Sequence, residues 1–269
     1  MILSEKNKKS WNEGAAAYSA FNHTDKIMSR IAENPANAFH RTVWEMMSEL
    51  LPEPRGKKIC VPSSGDNHAV FAFAALGAEI TSCDISENQL ANAERIAKKY
   101  GWDKSIKFVC SDTMKLAEIP DGGYDFVYTS NGVHVWIDDL AGMYNNIFRV
   151  MKPGGLYLMY EIHPFQRPFG DKLAVKKPYD STGPFDDGNE VTFGWRVMDI
   201  LNALLRSGLT ITRIEEMFAE KDYEQPFFIS YMDLQNGATA TREEVDRMHD
   251  WRENPMAALP TWISVAARK

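Results

Sequence analysis

Cysteine is scarce in this sequence, which has three in 269 residues. Cys60, Cys83 and Cys110 each stand in a separate apolar segment, without the close spacing of metal ligands or of a disulfide framework. We therefore expect all three to be reduced core residues of a cytoplasmic protein. The same spacing predicts that the protein has no metal site.

Positive charge and long apolar runs are also in short supply. The 30 lysines and arginines face 37 acidic residues, for a formal net charge of −7. This balance argues against nucleic acid as a partner. No apolar run approaches the roughly 20 residues of a membrane-spanning helix, and residues 1–14 lack the apolar core of a signal peptide. We expect neither nucleic acid nor a membrane as a partner.

The clearest pattern is a strand, turn, helix and second strand that ends at Asp84. Residues 59–62 predict a short buried strand, residues 63–65 a small-residue turn, and residues 68–76 a buried helix. Such a turn lets a ligand approach the backbone, and the start of the helix offers free N–H groups. An acid about 20 residues after the turn can bind a ribose diol. This unit is typical both of dinucleotide oxidoreductases and of S-adenosylmethionine (SAM) methyltransferases.

Alternating strands and helices continue along the chain. Further strands are predicted at residues 79–83, 106–110, 124–129, 156–162, 209–217 and 262–267, and further helices at residues 86–100, 139–151, 195–207 and 241–251. The alternation predicts an α/β fold with a doubly wound, mostly parallel sheet of seven strands. Right-handed crossovers bring the carboxyl ends of the parallel strands to one edge, where ligands bind.

Three segments lie outside this core, which we place at residues 56–162 of a single domain, 1–269. Residues 1–55 predict helices at 11–18, 26–33 and 37–51, which form either a packing layer or a lid over the ligand. Residues 163–195 and 218–260 are irregular and rich in aromatic side chains, including Phe227, Phe228 and Tyr231. We expect these two segments to cap a substrate site.

Four segments together resemble class I SAM-dependent methyltransferases that act on small molecules. They are ICVPSSGDN at the turn, TSCDIS at the second strand end, FVCSDTM at the third, and YDFVYTSNGVHVW with the later KPGG. WNEGAAAY, from residue 11, is similar to the helix that covers the methionine part of SAM in that family. The resemblance implies the Rossmann-like methyltransferase fold, SAM as cofactor and S-adenosylhomocysteine as product.

The resemblance also implies which residues contact the cofactor. Asp84 would bind the ribose diol, Asp112 the adenine amino group, and Tyr18 would close over the methionine part. The full set of implied contacts is Tyr18, Pro62, Ser63, Ser64, Gly65, Asn67, Asp84, Ile85, Gln89, Asp112, Thr113, Met114, Ser130 and Asn131.

The turn departs from the family pattern at three positions. Val61 stands where the family has an acid, and Ser63 and Asn67 replace two of three glycines. Asn67 adopts a left-handed backbone more readily than most residues. Asp66 is the residue we expect to supply the missing polar anchor.

The chemistry expected is methyl transfer to oxygen or nitrogen of a small molecule, helped by positioning and by a base. His134 and His163 follow strand ends and are the candidate bases. The alternatives are that His134 is a polar residue beside a helix and that His163 is a capping or turn histidine. Basic side chains of the cap, among them Arg167 and Lys172, are candidates to bind an acidic group of the acceptor, or simply face solvent. The alternative functions are a non-catalytic SAM-binding protein and an NAD-dependent oxidoreductase.

Overall fold

The structure is a computed structural model that describes residues 3–170, 173–223 and 238–269. Its helices are α1 (Leu3–Asn22), α2 (Asp25–Glu33), α3 (Arg41–Leu50), α4 (His68–Ala75), α5 (Glu87–Tyr100), α6 (Leu140–Val150), α7 (Val197–Arg206) and α8 (Arg242–Met248). The strands are β1 (Lys58–Pro62), β2 (Glu79–Asp84), β3 (Ile106–Cys110), β4 (Tyr124–Ser130), β5 (Met151–Ile162), β6 (Phe185–Asp186), β7 (Val191–Thr192), β8 (Thr210–Met217) and β9 (Trp262–Arg268).

Seven of the strands form one sheet in the order β3-β2-β1-β4-β5-β9-β8. Strands β1 to β5 are parallel, and β9 runs antiparallel to both of its neighbours. The predicted doubly wound, mostly parallel sheet is confirmed. Strand order reverses between β1 and β4, which is where ligands bind in open α/β sheets.

Apolar side chains fill both faces of the sheet. One layer packs α2 to α5 against the sheet and includes Phe71, Phe73 and Phe126, and the other packs α6 and α7 and includes Tyr144 and Tyr157. Helix α4 is buried on nearly every side, as its composition predicts. Burial on both sides also explains why the central strands are apolar along their length.

Local signals explain several helix ends. The Ser86 hydroxyl accepts a hydrogen bond from the Gln89 N–H and begins α5, although the Gln89 amide does not bond back as a full capping box would. Asp139 caps α6, and Thr241 with Glu244 forms a complete capping box on α8. Gly101 ends α5 with φ of 75°, a conformation that favours glycine.

The structure differs from the expectations at four places. Helix α1 is longer than predicted. The predicted 37–51 helix begins only at Arg41, because residues 35–38 form a 3₁₀ turn, Phe39 is extended and His40 is the N-cap of α3. Residues 164–193 contain a small β6–β7 hairpin. Cys110 is exposed rather than buried because it ends β3, the edge strand, whereas Cys60 and Cys83 are buried.

Three aromatic residues of the expected cap, Phe227, Phe228 and Tyr231, and also Lys172, lie outside the described residues. Among the described helices, none is long and apolar enough to cross a membrane.

Candidate active site

A cavity of about 560 Å³ follows the carboxyl ends of the parallel strands, within the usual size range of small-molecule sites. Its wall contains every residue predicted as a cofactor contact except Pro62, namely Tyr18, Ser63, Ser64, Gly65, Asn67, Asp84, Ile85, Gln89, Asp112, Thr113, Met114, Ser130 and Asn131. Pro62 is buried at the end of β1 and does not line the cavity. The sequence therefore located most of the wall.

Asp84 lies at the end of β2 with its carboxylate anchored on both oxygens. Oδ2 accepts a hydrogen bond from the Gly65 N–H at 2.7 Å, and Oδ1 accepts one from the Ser86 N–H at 2.8 Å. Burial raises the pKa of Asp84 to about 6, against the opposing effect of these hydrogen bonds. Each oxygen keeps a further lone pair, so this cavity-lining carboxylate can accept hydrogen bonds from a vicinal diol.

The turn after β1 is built differently from the glycine-rich pattern. Ser63 has φ of 48°, a left-handed conformation that is strained for serine, and its hydroxyl lies 2.7 Å from the Thr113 hydroxyl. Gly65 has φ of 50°, and the absence of a side chain keeps the space between Asp84 and Gln89 open. The turn thus uses one glycine and one strained serine.

Asn67 does not take the left-handed conformation expected of it. Its φ is −58°, because it acts as the N-cap of α4 and accepts a hydrogen bond from the Ala69 N–H at 2.8 Å. Its amide nitrogen also donates to the Ser130 hydroxyl at 3.0 Å and so ties the turn to the end of β4. Asparagine replaces glycine here because the position needs a cap and a cross-strand donor.

The wall between β2 and β3 carries polar groups that suit a planar heterocycle or a sugar. Asp112 is half-buried, and its Oδ1 accepts a hydrogen bond from the Met114 N–H at 2.9 Å. Both amide atoms of the buried Gln89 have no hydrogen-bond partner among the described residues, and this side chain lines the cavity beside Gly65. Buried polar atoms are normally paired, so Gln89 is positioned to bind a ligand.

Helix α1 covers the cavity and is held there by hydrogen bonds. The Asn7 side-chain amide donates to the Val191 carbonyl and accepts from the Val191 N–H, both at 2.8 Å. On the other side, the Asn12 side-chain carbonyl accepts a hydrogen bond from the Ser86 hydroxyl at 2.6 Å. Helix α1 therefore lies over the strand ends, whereas α2 and α3 pack against the sheet.

One face of α1 points at the cavity. Asn7, Trp11, Tyr18 and Asn22 all line it. The Trp11 ring makes edge contacts with Tyr18 at 5.8 Å and with Trp136, from the loop after β4, at 5.3 Å. Of these, the sequence singled out only Tyr18 as a contact, although spacings of four and seven residues mark one helix face and offered a signal for the others.

Asp66 follows Gly65, and its side chain is fully enclosed beneath the end of α1. Its Oδ2 lies 3.4 Å from His23 Nδ1. Burial raises the pKa of Asp66 to about 7 and lowers that of His23 to about 4. A buried acid and a neutral imidazole thus join the turn to its cover, which the sequence anticipated only as a polar anchor at Asp66.

Neither candidate base lines the cavity. His134 is buried, with Nε2 2.6 Å from the Tyr144 hydroxyl and Nδ1 3.1 Å from Glu161. His163 is buried too, and it caps a short 3₁₀ turn by accepting the Phe165 N–H while its Nε2 lies 2.9 Å from Glu216. Both imidazoles are turned into the protein, so the assignment of either as a general base is not supported. His163 is a capping histidine, and His134 is a buried polar residue bonded to Tyr144 of α6.

Glu161 of β5 organises the loop after β4. Its carboxylate accepts hydrogen bonds from the N–H groups of Gly132, Val133 and His134 at 2.6, 2.7 and 3.0 Å. Burial opposes its charge, but the bonds from His134 keep the pKa of Glu161 below its ordinary value. This buried acid shapes the wall that carries Trp136.

The end of the cavity nearest β5 is more apolar than the end nearest β2 and β3. It is formed by Tyr128, Tyr160 and Ile162, with Arg167 beyond them. Burial raises the pKa of Tyr160 well above its ordinary value, so its hydroxyl remains protonated. Within the described part of the chain, no group of three or more His, Cys, Asp and Glu residues is arranged to hold a metal ion.

Residues 62–159 match the family model of a methyltransferase domain. This stretch includes Asp84, Asp112 and Ser130 of the cavity wall. Residues 62–159 are a methyltransferase domain of the kind that this family model describes.

Curated relatives of this methyltransferase domain are named as sterol methyltransferases. The chain is 40% identical over 152 residues to a sterol 24-C-methyltransferase of Gibberella zeae, covering 56% of this chain and 39% of that protein. It is 25% identical over 200 residues to a sterol 24-C-methyltransferase of Schizosaccharomyces pombe, covering 70% of this chain and 49% of that protein. The chain thus spans less than half the length of these relatives.

Solved structures share the fold over most of the chain. An S-adenosylmethionine-dependent methyltransferase from Mesorhizobium loti has a TM-score of 0.60 and 24% identity, covering 84% of this chain and 97% of the other. The [4+2]-cyclase SpnF has a TM-score of 0.65 and 17% identity, covering 99% and 97%. A cyclase on the same fold illustrates that the fold does not determine the reaction.

SAM is the cofactor that this methyltransferase domain implies, and the residues present fit it. The Asp84 carboxylate can receive a diol, the unpartnered Gln89 amide offers a donor and an acceptor, and Gly65 leaves the backbone open between them. The cavity is also long enough to pass from β3 to β5.

Proposed function

We propose that the protein transfers the methyl group of SAM to a small-molecule acceptor. The observation that carries this proposal is one cavity that passes Asp112 after β3, Asp84 on β2 and the turn at Ser63, and continues to Tyr160 on β5. A cavity of this length holds a cofactor at the β3 side and leaves the β5 side for an acceptor.

In this proposal each end of SAM has its own residues. Asp84 accepts hydrogen bonds from the ribose hydroxyls. Asp112 accepts a hydrogen bond from the adenine amino group, and Met114 packs against the adenine ring. The turn at residues 63–65 presents its backbone to the methionine part, and Ser130 lies beside it. The anchored orientation of Asp84 and the bond between Ser63 and Thr113 support this placement, because both groups are set before a ligand arrives.

The protein's contribution to the reaction is positioning and exclusion of water. Bound SAM supplies an electrophilic methyl group. Trp11 and Trp136 meet edge to face over the cavity, and Tyr160 lines its far side, so an acceptor is enclosed by aromatic rings. Alignment of this kind accounts for several kcal/mol of a barrier in well-oriented reactions, on the order of 7–11 in the best cases.

The acceptor atom in this proposal needs no imidazole base, because His134 and His163 face away from the cavity. An oxygen or nitrogen that is already deprotonated meets this condition. A carbon nucleophile, as the name of the sterol 24-C-methyltransferases indicates for those relatives, meets it as well.

Two alternatives make different predictions. An NAD-dependent oxidoreductase should be stabilised by NAD, whereas the methyltransferase should be stabilised by SAM and S-adenosylhomocysteine in a thermal-shift experiment. A non-catalytic SAM-binding protein would bind both but form no S-adenosylhomocysteine when incubated with SAM and a library of small acceptors. Stabilisation by NAD alone would contradict the proposal, and acceptor-dependent formation of S-adenosylhomocysteine would support it.

A further inference from the structure

We infer that Arg167 is a specificity-determining residue that binds an anionic group, a carboxylate or a phosphate, on an acceptor whose remainder is apolar. The inference rests on the proposed methyl transfer and names the class of acceptor.

Arg167 occupies the acceptor side of the cavity. It directly follows the 3₁₀ turn Pro164–Gln166, which comes after β5, and it lines the cavity together with Tyr160 and Ile162. Asp84 and Asp112 lie on β2 and after β3, on the opposite side of β1 and β4. A cofactor held by those two acids would therefore leave Arg167 for the other reactant.

Arg167 is half-buried, and no carboxylate of the described residues forms an ion pair with its guanidinium group. Burial lowers its pKa, and the charge of Glu161 only partly offsets this. Glu161 is already committed to His134 and to three backbone N–H groups of the loop after β4. Among the described residues, no side chain forms a hydrogen bond or an ion pair with the guanidinium. A partly buried charge without a partner has a desolvation cost, and an anionic ligand would reduce that cost.

A second cation, Lys177, lies on the same segment and adds to its positive charge. Burial and the charge of Arg167 lower the pKa of Lys177, whose ammonium sits 3.7 Å from the centre of the Phe185 ring. Two neighbouring cations without a carboxylate partner in the described part of the chain are notable in a protein of net charge −7. Their positive potential selects an anion at this end of the cavity.

The walls between the cofactor side and Arg167 are apolar or aromatic. Tyr128, Tyr160, Ile162 and Trp136 line the cavity on or after β4 and β5. A guanidinium at the end of an apolar channel suits a molecule with an apolar body and one anionic group. The same arrangement disfavours a fully neutral acceptor, since the Arg167 charge would then be covered and unpaired.

Isothermal titration on protein saturated with S-adenosylhomocysteine tests this inference. The probes are hexanoate, hexyl phosphate and neutral 1-hexanol, which share an apolar chain and differ in the head group. The variants are Arg167→Gln and, as a matched control, Lys176→Gln, which removes an exposed cation from the same segment. S-adenosylhomocysteine affinity of each variant is measured first and reports that the cofactor side is intact.

We expect at least one anionic probe to bind the unmodified protein at least tenfold more tightly than 1-hexanol. Arg167→Gln should abolish this preference, and Lys176→Gln should leave it within twofold. Preference for hexanoate identifies a carboxylate, and preference for hexyl phosphate a phosphate. Equal binding of all three probes, no binding of any probe, or an anion preference that survives in Arg167→Gln would overturn the inference alone. Failure of the unmodified protein to bind S-adenosylhomocysteine would instead overturn the proposed function on which it rests.

Discussion

The carboxylate of Asp84 accepts the backbone N–H of Gly65 at 2.7 Å, so the end of β2 and the turn after β1 are joined directly. The two strands are adjacent and parallel, with Pro62 beside Cys83 in the register. The same carboxylate also holds the Ser86 N–H at the start of α5. The orientation of the acid is therefore set by the scaffold before a ligand binds, which lowers the cost of ordering the site.

The strained backbone of Ser63 gives a prediction that compares two substitutions. Ser63→Ala and Ser63→Gly both lose the hydrogen bond to Thr113, but only glycine relieves the positive φ of 48°. We expect Ser63→Gly to be more stable than Ser63→Ala by about 1 kcal/mol, because the strain of about 1–2 kcal/mol exceeds the entropy cost of glycine. Urea unfolding measures the difference, and equal or lower stability of Ser63→Gly would show that the strain at Ser63 does not exceed the entropy cost of glycine.

We expect the buried Glu161 carboxylate to stabilise the folded protein. In the unmodified protein the backbone N–H groups of this loop donate to the Glu161 carboxylate. Glu161→Gln places an amide NH₂ donor among them and also removes the carboxylate beside His134. We expect the free energy of unfolding to fall by about 3 kcal/mol, as for other broken buried pairs. Glu215→Gln is the control, since this acid is half-exposed beside Arg213 on β8 and should cost less than about 1 kcal/mol. A loss at Glu161 no larger than at Glu215 would contradict this role.

Asp66 predicts a pH dependence of stability. Its pKa is about 7 in the folded protein and 3.8 ordinarily, so between these values the folded state binds a proton that the unfolded state has released. The contribution of Asp66 to the free energy of unfolding therefore falls as pH rises from about 4 to 7. Asp66→Asn has no carboxyl group at this position, so its free energy of unfolding should not show this fall with pH.

Urea unfolding of the ligand-free protein between pH 4 and 8 tests the Asp66 prediction. The stability of Asp66→Asn relative to the unmodified protein should increase from pH 4 to 7 and then level off. His23 contributes in the opposite sense, because its pKa of about 4 lies below the ordinary 6.5, and this makes the comparison of two proteins necessary. A difference that does not change with pH would mean that Asp66 is ionised throughout.

The alternation of strands and helices predicted the sheet, and with it the edge where the site lies. Parallel strands place their carboxyl ends together whatever their side chains, so Asp84, Asp112 and Ser130 could be brought to one cavity from the sequence. Helix ends with capping side chains, such as Ser86 and Asp139, were also predictable because capping is a local interaction.

The direction of a side chain beyond a strand end was not predictable in the same way. His134 and His163 have the position of a base but face Glu161 and Glu216, acids that lie far from them in the sequence. The hydrogen bond from Asn67 to Ser130 likewise joins residues that lie far apart in the sequence. These features are set by tertiary contacts, which local patterns do not encode.

The measurement that tests the central claim most directly is isothermal titration of SAM and S-adenosylhomocysteine into the unmodified protein and Asp84→Ala. The control is Asp125→Asn, which removes another carboxylate that accepts a backbone N–H, from Lys58, but does not line the cavity. We predict at least tenfold weaker binding of both ligands to Asp84→Ala, about 1.4 kcal/mol, and unchanged binding to Asp125→Asn. Equal affinity of the unmodified protein and Asp84→Ala would contradict the placement of the cofactor.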